Sequence, residues 1–125
     1  METLANNYFE EAIQKMKQAN TELYRPEEDV VSYVVCKNAQ SAIHNFLKGY
    51  LLREGIHTQA HETIEDLYNR CLKLNERFER VNLAGFNCQS HDTSSRYCDG
   101  AKKVSRCFAI ADSLDTFLRE EKVIN

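Results

Sequence analysis

Between residues 28 and 55, apolar and aromatic side chains recur at intervals of three and four: Val31, Val35, Ala39, Ala42, Ile43, Phe46, Leu47 and Tyr50. That spacing lines one side of an α-helix. Val30, Val34 and Leu51 widen the stripe, so this helix is expected to meet neighbours on more than one side. A helix over 27–54 would be roughly 40 Å long at about 1.5 Å per residue, enough to span a small domain. Ala39, Ser41 and Ala42 are small and predict close approach by another helix at mid-length. Phe46 is expected in the core.

The same periodicity predicts a first helix over 4–23, with Leu4, Ala5, Tyr8, Phe9, Ala12, Ile13, Met16, Ala19 and Leu23 on one stripe. Tyr24-Arg25-Pro26 breaks it, because the residue before proline is pushed out of the helical region. Pro26 suits the first turn of the next helix, and Glu27, Glu28 and Asp29 complement its dipole. So short a turn makes the two helices antiparallel neighbours. Gly55 is expected to end the long helix as a left-handed cap. Thr58 is the expected cap of a third helix over 59–74, with Ile64, Leu67, Tyr68, Cys71, Leu72 and Leu74 as its apolar face. A shorter helical turn over 75–84 carries Phe78, Val81 and Leu83. The least regular stretch, 85–99, is expected to be a long loop. A last helix from 99 or 100 to 119 turns Ala101, Val104, Cys107, Phe108, Ala111, Leu114 and Leu118 inward, and 120–125 is expected to fray.

One proline and four glycines in 125 residues disfavour a loop-rich β fold. The chain is expected to form a single all-α domain over 1–125, an up-and-down bundle of four long helices plus a short extra one. A hydrophobic fraction of 42% excludes disorder. A net charge of −3 implies no bulk attraction to nucleic acid or an anionic membrane, and no apolar run approaches a bilayer span. Five cysteines, an odd number set within helical patterns, suggest reduced thiols in a cytoplasmic protein. Cys36, Cys71 and Cys107 fall on core positions and read as small buried hydrophobes.

One stretch is locally basic: Arg96, Lys102, Lys103 and Arg106, where the irregular segment enters the last helix. A helix N-terminus offers free N–H groups and the positive end of the dipole, so this stretch is the candidate anion site. A solvated outer face opposite Val104 and Phe108 explains the same charges. Cys88, His91 and Cys98 have partial metal-ligand spacing but lack the second close pair of a zinc site, so no metal or cofactor is expected. His44 sits beside the apolar stripe as a boundary residue. His61 stands one turn before Glu65, a helix-surface pair. No Gly-rich phosphate loop, nucleophile elbow or paired metal-binding histidines occur.

Taken in order, three segments resemble the HEPN-domain family of small helical bundles. Tyr8-Phe9-Glu10-Glu11-Ala12 is similar to its opening helix. Ala39 to Leu51, then Gly55 and His61 leading into Ile64 and Leu67, is similar to its helix, glycine turn and following leucine-bearing helix. Ser95-Arg96-Tyr97 and the helix through Ala111 are similar to its late Arg-Tyr stretch and final helix. The resemblance implies a four-to-five-helix bundle, commonly a homodimer. Many relatives stand beside a minimal nucleotidyltransferase in toxin–antitoxin pairs, and many are ribonucleases that use an arginine followed, after four to six residues, by a histidine. Here Ala101 and Lys102 occupy that window, and no histidine follows His91. What the resemblance implies is therefore a non-catalytic binding module for a nucleotide or a nucleotidyltransferase partner. The alternatives are a ribonuclease acting on RNA through a rearranged Arg96/His91 site, and a structural helical adaptor.

Overall fold

The computed structural model describes residues 2–23, 32–59, 62–81 and 101–124, with side chains over 3–22, 34–59, 62–81 and 108–124. Four α-helices carry the fold: α1 (Glu2–Leu23), α2 (Ser32–Arg53), α3 (Ile64–Leu74) and α4 (Ala101–Glu120), with a 3₁₀ helix at Glu76–Arg80. No strand occurs among the described residues. The expected turn at 24–26, the expected start of the long helix at 27–31, the residue Leu83 and the irregular stretch 85–99 lie outside the described residues.

The long second helix is the axis of the bundle. It packs against α1, α3 and α4, and α1 also touches α4. Val35, Ala39, Ala42, Ile43, Phe46, Leu47 and Leu51 are fully buried and Tyr50 nearly so, as the stripe predicts. From residue 38 to 52 no position of α2 is exposed, its polar residues included. Ala5 and Phe9, early in α1, meet Gly49, late in α2, so the two helices run antiparallel. Leu4 and Leu74 are the exceptions to the stripes: both are about half exposed, because they stand at helix ends beyond the reach of a neighbour. Ile110 and Phe117, absent from the predicted inward face of α4, are buried.

Helix ends follow local chemistry. After α2, Gly55 has φ 82°; Ile56 N–H bonds to Leu51 O at 2.8 Å and Gly55 N–H to Leu52 O at 2.9 Å, closing a Schellman cap. The cap of α3 is Thr63, not Thr58. Thr63 Oγ1 accepts from Asp66 N at 3.1 Å while the Asp66 carboxylate accepts from Thr63 N at 3.2 Å. This reciprocal box needs a carboxylate or amide three residues after the cap. Asp66 supplies it after Thr63, whereas His61 stands at that place after Thr58. The helix consequently starts at Ile64, later than periodicity suggests.

The chain after α4 does not fray as far as Ile124. Val123 N–H bonds to Leu118 O at 2.9 Å and Lys122 N–H to Arg119 O at 3.1 Å, a second Schellman cap. Val123 and Ile124 then fold back onto the core. Here the left-handed position is taken by Lys122, at φ 62°, where a Cβ costs about 1–2 kcal/mol. Lys122→Gly should therefore raise stability by about 1 kcal/mol, seen as a higher urea midpoint at unchanged slope. A lower midpoint would show that the Lys122 side chain contributes more than the strain costs.

Candidate functional site

Arg96 and His91 lie outside the described residues. Lys102, Lys103 and Arg106 lie on the first two turns of α4, which opens at Ala101, so the basic stretch does enter a helix. The side chains of all three lie outside the described residues. Early helical N–H groups and the dipole's positive end lie at the same place.

A second polar group ties α2 to the connection that precedes α3. Glu62 is almost buried, its side chain about 10% exposed. Its carboxylate accepts from Arg70 Nη1 at 2.6 and 2.7 Å and from Gln59 N at 2.7 Å. Arg70 Nη2 also donates to His57 O at 3.2 Å. Glu62 therefore gathers the connection and α3 at one point. His44, half-buried on α2 as a boundary residue should be, hydrogen-bonds to the backbone of Glu62. His61, expected to pair with Glu65, lies outside the described residues. Lys48, one turn after His44, sits 5.9 Å from the centre of the Tyr8 ring, joining the same side of α2 to α1.

Burial pushes the His44 imidazole below its ordinary value of 6.5, Lys48 pushes in the same direction, and the Glu62 backbone bond and charge oppose both. The folded state therefore holds His44 neutral more strongly than the unfolded chain does. By linkage, the unfolded chain binds more protons as pH falls through 6.5, so this residue's contribution is present above 6.5 and is lost below it, towards the lowered folded value. Thermal stability should fall between pH 7.5 and 5.5, and His44→Gln should flatten that slope. An unchanged slope in the variant would assign the loss to other groups. The arrangement is a clasp: among the described residues, the carboxylate beside the imidazole, Glu62, is already engaged by Arg70.

The cysteines divide. Cys71 is free and fully buried, its Sγ 3.8 Å from Leu47 O, and burial pushes its thiol up to about 12. It is inert, as its core position predicts. Cys36 is buried too, but it is disulfide-bonded, which corrects the expectation of a reduced thiol at that position. The Cys107 side chain lies outside the described residues.

A groove of about 230 Å³ between the 3₁₀ helix and α4 was not foreseen from sequence. Arg80, Asp112, Ser113, Thr116, Phe117 and Glu120 line it. It is smaller than the roughly 300–1,000 Å³ of small-molecule sites, and its two carboxylates disfavour an anion. A shallow hollow of about 400 Å³ follows one face of α1 over Asn7, Glu10, Glu11, Gln14 and Lys17. No group of three or more metal-ligating side chains occurs among the described residues, and no helix there is long and apolar enough to cross a membrane. Compared with protein-family models, curated proteins and solved structures, the chain matches none.

Proposed function

We propose that this chain is a non-catalytic, HEPN-like helical binding module that takes a phosphate-bearing ligand, a nucleotide in the first instance, at Arg96 and the start of α4. The observation that carries this reading is the basic stretch opening a helix with no histidine after it: the four histidines are His44, His57, His61 and His91. Metal-free RNA cleavage requires a group that accepts the 2′-hydroxyl proton and one that supplies a proton to the leaving oxygen, and histidine serves both near neutrality. Arginine stays protonated and can only stabilise phosphate charge. His44 is no substitute, since it stands on α2 tied to the Glu62 backbone in the connection before α3. The all-helical bundle with α2 at its centre agrees with the resemblance. Pairing with a minimal nucleotidyltransferase, and with a second copy of the chain near Arg96, belong to the same reading.

The test combines binding and cleavage. ATP titrated into the protein should bind, and Arg96→Ala should weaken binding roughly ten- to hundredfold, the effect of a lost charge-assisted hydrogen bond. Lys102→Ala and Arg106→Ala should each weaken it less. Unstructured RNA incubated with the protein should remain intact. Cleavage lost in both His91→Ala and Arg96→Ala would replace this reading with a ribonuclease built from those two residues. Sedimentation at high micromolar concentration should give twice the chain mass, and a monomer there would remove the dimer.

A further inference from the structure

We propose that the half-buried polar strip of α2 formed by Ser41, His44, Asn45 and Lys48 binds a dianionic phosphate group, with no contribution from Arg96. The four residues stand at i, i+3, i+4 and i+7 within α2, so they share one face over about two helical turns. The strip runs between two neighbours. On one side is α1, whose Ala5 and Phe9 meet the adjacent Gly49. On the other is the connection before α3, where the Glu62 backbone holds His44. The strip carries a hydroxyl, an imidazole, an amide and an ammonium group, and no carboxylate.

A missing counter-ion singles this strip out. Among the described residues, the half-buried lysines and arginines are Lys15, Lys48 and Arg70. Lys15 lies 3.9 Å from Glu11 and Arg70 2.6 Å from Glu62. Lys48 pairs with no described carboxylate; it lies over the Tyr8 ring instead and pushes the His44 imidazole towards its neutral form. Glu62, the carboxylate beside His44, is engaged by Arg70 and by Gln59 N. A lysine and a histidine one turn apart thus leave a positive field that a bound dianion relieves.

The hydrogen-bond donors fit the same ligand. Asn45 Nδ2 gives one hydrogen to Ser41 Oγ at 3.4 Å. Its second hydrogen and the Ser41 hydroxyl hydrogen have no partner among the described residues. Phosphate oxygens accept from these two groups and from the Lys48 ammonium. One ring nitrogen of His44 already donates to the Glu62 backbone, so the other donates to the ligand only when the ring is protonated. A bound dianion therefore favours proton uptake by His44. The described charges bearing on that ring are Lys48 on α2 and Glu62 in the connection, the latter offset by Arg70 of α3; α1 contributes the Tyr8 ring beside Lys48.

The experiment titrates inorganic phosphate and phenyl phosphate into the full chain and follows the His44 imidazole resonances, with sodium chloride at matched ionic strength as the reference. Both phosphates should shift these resonances saturably and raise the His44 titration midpoint, and chloride should not. Tighter binding of the ester assigns the site to a phosphorylated ligand, and equal binding assigns it to free phosphate. Lys48→Met keeps the stem beside Tyr8 and removes the charge. It should weaken binding at least about tenfold, the effect of a lost charge-assisted hydrogen bond. Without ligand it should itself raise the His44 midpoint, because the repulsion is gone. Arg96→Ala should leave the His44 response unchanged. The wild-type titration decides alone if Lys48→Met fails to fold. A His44 response matched by chloride, or binding undiminished in Lys48→Met, would overturn the proposal.

Discussion

Phe78→Ala should cost roughly 3–5 kcal/mol of folding stability, the range for deleting a buried aromatic ring. Phe78 lies in the five-residue 3₁₀ helix, yet it is fully buried. Tyr50 of α2 meets it edge-on with ring centres 4.8 Å apart, Phe117 of α4 lies at 4.7 Å, and Tyr68 of α3 at 6.4 Å. One ring from a short segment therefore closes three helices onto each other. Such pairs contribute about 0.5–1.5 kcal/mol each beyond area burial. The ring is also held from outside. Tyr68 Oη lies 3.0 Å from Phe78 O and 2.8 Å from Val81 O, and Asn75 Oδ1 accepts from Arg77 N at 3.1 Å. Backbone so anchored cannot collapse into the space alanine leaves, which places the cost high in the range. Urea unfolding should show a lower midpoint at an unchanged slope. Glu79→Ala, on the exposed side of the same turn, should stay within about 0.5 kcal/mol. A loss under about 1 kcal/mol for Phe78→Ala would mean the neighbouring rings repack without it.

The same residue shows what the sequence revealed and why. Burial of Phe78 and Val81 was legible from apolar spacing alone, as was the centrality of α2, because a stripe wide enough to need three neighbours obtains them. The meeting of Phe78 with Phe117 was not. It depends on where α4 returns, and Phe117 falls between the positions that the periodic reading turned inward. The start of α3 was legible in principle: Thr63-Ile64-Glu65-Asp66 carries the capping box and Thr58 does not. The end of α4 was legible too. Val123 supplies the apolar residue that a Schellman cap folds back, but Lys122 concealed it by occupying the left-handed place where glycine is the usual signal. Cys36 marks a different boundary. A stripe position predicts that a side chain is buried, and it is, but periodicity carries no information on the oxidation state of a sulfur. For the candidate anion site, the sequence started its helix at 99 or 100, close to Ala101, where α4 opens.

Gly49→Val should cost about 3 kcal/mol or more, because the close approach of α1 and α2 depends on the missing side chain. Ala5, Ala12 and Ala19 recur at seven-residue intervals on α1, and Val35, Ala42 and Gly49 do so on α2, all of them buried. Small residues let the two backbones approach, and Gly49 lies against Phe9 and Ala5 of α1. A Cβ there would lie 2.6 Å from Phe9 Cε1, 2.8 Å from Phe9 Cδ1 and 3.2 Å from Ala5 O. The ring cannot simply swing away, since Phe9 is 3% exposed and packed in the core. The Ala5 carbonyl is backbone within α1 and cannot move alone. Valine adds two methyl groups whose χ1 is restricted in a helix, so overpacking of about 1–3 kcal/mol for a modest excess is exceeded. Gly49→Ala is the informative smaller step. Alanine gains about 1 kcal/mol in helix propensity, which offsets part of the clash. Phe9→Leu, which shortens the obstructing ring, should cost less in the Gly49→Ala background than in the wild type, with a coupling energy of about 1 kcal/mol. Costs that add to within about 0.5 kcal/mol would place the obstacle at the Ala5 carbonyl instead, and α1 would then have to shift bodily to admit any side chain at position 49.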